Sequence, residues 1–68
     1  MKLEDRLDIV LKMQRINELQ ISNREKTLQL SKKLAQDIEN EKIRLEIKKL
    51  EVENIGLHQR CKELTSKL

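Results

Sequence analysis

Ile43, Leu50, Leu57 and Leu64 recur every seventh residue, and Ile47, Asn54, Cys61 and Leu68 each follow four residues behind them. Seven of these eight positions are apolar, so the alternation is 4-3, a heptad with the first set at d and the second at a. A period of 3.5 excludes a strand, whose side chains alternate with period 2. Sustained over several turns, it commits a helix to wind around another helix so that the apolar seam stays covered. The repeat constrains the whole chain, because little else in it can build a core. There is no Phe, Tyr or Trp, and charged residues, at 40%, outnumber hydrophobic ones at 37%. A chain of 68 residues with that composition buries too little surface to stand alone.

Covalent and metal staples are excluded as the remedy. A single cysteine, Cys61, allows no internal disulfide, and one Cys with one His, His58, falls short of the four ligands of a structural zinc site. Association between helices remains. With no proline and one glycine, Gly56, nothing in the sequence obliges a helix to stop. The expected fold is therefore all-α: a single long helix of roughly 100 Å at 1.5 Å per residue. It is expected to form a coiled coil, as a parallel dimer, with a three- or four-helix bundle as the alternative.

The polar member of the repeat bears on orientation. Asn54 occupies an a position, and in a parallel dimer its amide would meet its own copy across the axis, a pairing that fixes register at some cost in stability. On that reading Asn54→Leu raises stability and admits higher oligomers. The flanking charges are permissive: Glu39 would face Arg44 and Glu53 would face His58, while Glu46 against Glu51 is unfavourable.

Towards the N-terminus the same register fails, since it would place Asn40, Gln36, Lys33, Gln29 and Lys26 in the core. A shifted phase, Leu3, Leu7, Val10, Ile21, Leu28, Ala35 and Ile38, serves better and gives a candidate secondary interface, interrupted by Gln14, Asn17, Arg24 and Ser31. Three segments follow: 1–38 with a loose register, a transition at 39–42, and the regular zipper at 43–68. Because the stretch 36–42 has neither Pro nor Gly, a register shift is expected there, with a helical hairpin as the alternative. A second apolar set, Ile9, Met13, Ile16, Leu19, Leu30, Leu34, Ile38, Leu45, Val52 and Ile55, lies on roughly the opposite side of the helical wheel and points to additional helix contacts.

Other functions find little support. His58 and Cys61 share a helix face, but a nucleophile pair also needs a pocket and an oxyanion site, which one helix does not build, so no enzyme, cofactor or small-molecule substrate is expected. Residues 1–34 hold eight Lys/Arg against five Asp/Glu, a surplus too dilute for a nucleic-acid tail, and Asp37, Glu39 and Glu41 stand where a basic zipper would carry arginines. The longest apolar run, Ile9-Val10-Leu11, cannot span a membrane, and no aromatic residue anchors an interfacial helix. The expected partner is a second copy or another helical chain. The expected role is an oligomerisation or scaffold segment of a larger intracellular protein, of the cytoskeletal or tethering kind. An adaptor helix that docks a different partner is the alternative.

Overall fold

The structure is a computed structural model that describes residues 2–68. It contains two helices, α1 (Leu3–Gln36, 34 residues) and α2 (Glu41–Ser66, 26 residues), folded back against each other. The molecule measures 53 × 15 × 11 Å. This corrects the single long helix: the chain is a helical hairpin about half that length, and its first seam is made within one chain.

The reversal is built without Pro or Gly. α1 ends where Asp37 takes φ −142° and ψ 77°, while its N–H still donates to the carbonyls of Leu34 and Lys33. The Asn40 N–H then donates to the Asp37 carbonyl at 3.1 Å, closing the turn. Asn40 also starts the next helix, its side-chain oxygen accepting the Ile43 N–H at 3.3 Å. That is an N-cap, one of the strongest helix-start signals a side chain supplies, and Glu41 follows it where a negative charge suits the helix dipole. Arg44 reaches back and donates to the Ile38 carbonyl through Nη2 at 2.7 Å and Nε at 3.1 Å. The turn is thus tied by side chains on its C-terminal flank, which is how it dispenses with glycine.

Packing follows a shared rhythm. The α1 residues with reduced exposure are Ile9, Met13, Ile16, Gln20, Asn23, Thr27, Leu30 and Leu34, apart from Ser22 beside them. Those of α2 are Ile43, Ile47, Leu50, Asn54, Leu57, Cys61 and Leu64. Both sets run in unbroken 4-3 steps, and each α1 position lies as far before the middle of the 37–40 turn as its α2 counterpart lies after it. The two heptads therefore meet layer on layer when the chain folds back, antiparallel.

Coverage within the seam is thin. Ile9 and Ile16, at 9% and 8% exposure, are the only buried hydrophobic side chains among the described residues, and α2 buries none to that degree. Two helices can cover only one flank of each other, so every seam residue keeps an edge towards solvent. Among the described residues one ion pair occurs, Lys12 with Asp8 at 3.2 Å, and it lies within α1. Among the described residues no salt bridge joins the helices, so apolar contact and a central layer of amides hold the seam.

Candidate interaction surface

At the middle of the seam sits a polar layer. Asn23 Nδ2 donates to Asn54 Oδ1 at 3.0 Å across the helices. Two longer bonds of 3.4 Å run reciprocally, from Gln20 Nε2 to the Asn54 carbonyl and from Asn54 Nδ2 to the Gln20 carbonyl. Asn23 is the most buried of the described residues, at 4% exposure. Thr27, one step nearer the turn, returns its hydroxyl to the Asn23 carbonyl of its own helix at 2.8 Å. Buried amides without partners cost about 1–3 kcal/mol each, and here no buried side-chain N or O among the described residues lacks one. Asn54 thus finds its amide partner in Asn23 of the same chain, where the expected parallel dimer would have supplied a second Asn54.

The eight zipper residues separate into two groups. Ile43, Ile47, Leu50, Asn54, Leu57, Cys61 and Leu64 all turn towards α1, while Leu68 lies beyond the end of α2 and is exposed. Cys61 is a free thiol, half-covered in the seam. His58 lies on one flank, in a shallow groove with Gln20, Arg24 and Lys62. Among the described residues no three His, Cys, Asp or Glu side chains gather where they could hold a metal ion. Nor is any helix there long and apolar enough to cross a membrane.

A pair of antiparallel helices has two broad faces, one on each side of the seam, and here they differ. One face carries charges from both helices. Its groove near the turn is lined by Lys26, Lys33, Glu46, Lys49 and Glu53, and its groove near the open end by Lys12, Arg15, Arg60, Glu63 and Lys67. The other face carries, on α1, the stripe Leu3, Leu7, Val10, Ile21, Leu28 and Ala35, each one residue past a seam position or continuing that row. Every one of these is exposed in the single chain, as is Ile38 in the turn, with Leu3 at 71% and Leu28 at 59%. On α2 the same face carries Ile55, 60% exposed, among the polar and charged residues Glu51, His58 and Lys62, beside Arg24 of α1. The candidate secondary interface is therefore an exposed apolar row, broken by Gln14, Asn17, Arg24 and Ser31, that α2 does not cover.

The second apolar set of the sequence divides between uses. Ile9, Met13, Ile16, Leu30 and Leu34 form the α1 side of the seam, whereas Leu19, Ile38, Leu45, Val52 and Ile55 remain exposed. The polar residues Gln20 and Asn23 are what sequence reasoning missed as seam members. Their signal was positional, since they continue the 4-3 step from Ile16 towards Leu30.

No family model, curated protein or solved structure matches the chain.

Proposed function

We propose that the hairpin is a helical assembly module, a binding element whose work is to associate through its uncovered helix faces. Surface area carries this reading. A compact monomer of 8.1 kDa exposes roughly 4500 Å² by the usual scaling of surface with mass, whereas this chain exposes 5920 Å². The surplus is comparable to one partner's share of a large protein–protein interface. With two buried hydrophobic side chains among the described residues, the lone hairpin also has little to offset the entropy of ordering its backbone. Association is the remedy that the missing disulfide and metal cannot provide.

In this role the module would join parts of a larger structural or tethering protein, and the unpaired Cys61 suits a reducing, intracellular compartment. At 53 Å it spans far less than an uninterrupted helix would, so holding copies together fits it better than bridging distance.

The test is the mass of the isolated chain in solution by sedimentation equilibrium, with helicity followed by circular dichroism as the concentration is varied. A helical oligomer whose melting temperature rises with concentration supports the reading. A stably helical monomer at every concentration overturns it. A poorly helical monomer that folds only with a different helical protein would mark an adaptor instead.

A further inference from the structure

We infer that the occupant of the apolar face is a second copy of this chain, packed antiparallel so that two hairpins close into a four-helix bundle with its two-fold axis at Ile21. The inference rests on the assembly reading above and specifies its partner, its face and its direction.

Charge chooses the face. On the charged side, α1 presents Lys12, Arg15, Lys26 and Lys33 and α2 presents Glu46, Lys49, Glu53, Arg60 and Glu63, so copies meeting there through α1 would set basic rows together and would desolvate charges on both helices. On the apolar side, the α1 stripe contains a single charge between Leu3 and Ala35, that of Arg24, and the charges of that face, Glu51 and Lys62 among them, lie on α2. The stripe stands about 100° around the helix from the seam, since it is offset by one residue. A neighbour docked there meets α1 at nearly a right angle to α2, the corner of a square four-helix array.

Closure chooses the direction. A parallel mate could close a square only by setting the apolar stripe against the row of α2 that carries Glu51, His58 and Lys62, and one that set α1 on α1 would leave the two α2 helices splayed on opposite sides and uncovered. An antiparallel mate brings α2 over its own copy and closes the square, with every neighbour antiparallel.

Overlap and complementarity choose the axis. The midpoint of α1 lies near residue 20, and Ile21 is the apolar stripe residue beside it, 46% exposed. With the axis there, Ile21 meets its own copy, Leu7 falls opposite Ala35, and the polar pair Asn17 and Arg24 lie together. The reflected register of the hairpin then sets Ile55 beside His58 of the other copy and Glu51 opposite Lys62, twice by symmetry. Charge complementarity of this kind suppresses slipped alignments. The surplus of exposed surface, set against the roughly 800 Å² per partner of a standard interface, is enough for one such mate.

The experiment uses the full chain with Cys61→Ser as background, and reads mass by sedimentation and orientation by disulfide capture. Ile21→Cys is expected to cross-link to its own copy, because residues on the axis approach within the ~7 Å that a disulfide needs. Leu3→Cys is expected not to, since antiparallel copies hold that position about 54 Å apart at 1.5 Å per residue. Ile21→Glu is expected to weaken the dimer at least about 30-fold, as a central contact does, while Leu19→Glu on the opposite flank leaves it within a few-fold. Ready capture through Leu3→Cys would overturn the antiparallel arrangement. A dimer that survives Ile21→Glu and fails to capture Ile21→Cys would overturn the face, as would a trimer or tetramer of the parent chain, and both leave the assembly reading standing. A helical monomer under all conditions removes that reading too.

Discussion

Asn23 Nδ2 donates to Asn54 Oδ1 at 3.0 Å, joining the middles of two helices whose residues are 31 apart in the chain. This bond lies among apolar layers on both sides, and shifting either helix by one heptad would bring a carboxamide against an aliphatic side chain. The layer therefore specifies alignment more than it adds stability, as a single buried amide does in other coiled coils.

The amide layer reverses the effect expected of Asn54→Leu. In a parallel dimer that change would remove a matched pair and raise stability. In the hairpin it leaves the Asn23 side chain without its cross-helix partner, while Gln20 keeps the backbone carbonyl of residue 54, at a cost of about 1–3 kcal/mol, read as a lower urea midpoint. Replacing Asn23 and Asn54 together by Leu should recover that loss and loosen the register. A single Asn54→Leu variant more stable than the parent chain would contradict the hairpin pairing.

Disulfide trapping distinguishes the hairpin from a long helix directly. Ile16 lies seven residues before Asn23 and Cys61 seven after Asn54, so they face each other in the seam. Ile16→Cys is expected to form an intrachain bridge with Cys61 under mild oxidation, seen as a faster-migrating monomer on a non-reducing gel. Cross-linked dimers in place of that species would restore the extended helix.

Cap chemistry makes the turn sensitive at one side chain. Asn40→Ala removes the acceptor for the Ile43 N–H and should cost about 1 kcal/mol, whereas Asn40→Asp or Asn40→Ser should retain most of it. Thermal melts of the three variants would rank them. Equal melting temperatures would mean that the cap contributes nothing.

Burial predicts a steep contrast along α1. Ile16→Ala should destabilise by about 2–4 kcal/mol, because Ile16 is among the few covered hydrophobics. Leu11→Ala, at a position 58% exposed and away from both the seam and the apolar stripe, should change stability by about 0.5 kcal/mol or less. Similar losses at the two sites would argue that another surface is buried.

The all-helical class and the α2 seam were legible because Ile43, Ile47, Leu50, Leu57 and Leu64 leave no competing period. The α1 side was legible only in part: Ile9, Met13, Ile16, Leu30 and Leu34 stood in the second apolar set, but Gln20, Asn23 and Thr27 fill the middle layers between them with polar side chains. A search for apolar residues steps over them and settles one residue away, on the Leu3–Leu7–Val10 stripe. Only the cross-helix partners of the two amides make those positions suitable for burial, and partners cannot be seen in one dimension. The turn was obscured in part for a related reason. Its reversal uses no Gly or Pro; the Asn40 cap ahead of Glu41 was a signal the sequence carried, whereas the tether from Arg44 to the Ile38 carbonyl shows only in three dimensions.

The reflection of the two heptads about the turn also sets an order of events for folding. Layers next to Asp37–Asn40 close loops of a few residues, the Asn23–Asn54 bond closes one of 31, and the contact of Thr65 with Met13 closes one of 52. Short loops cost less chain entropy to close, so zipping should start at the turn and travel outward, with the open end last to form and first to fray. Amide hydrogen exchange should then run as a gradient along the seam, slowest near the turn and the amide layer and fastest around Ile9 and Leu64. One flank of the turn, held by Asn40 and Arg44, would thus govern the speed at which the whole molecule assembles.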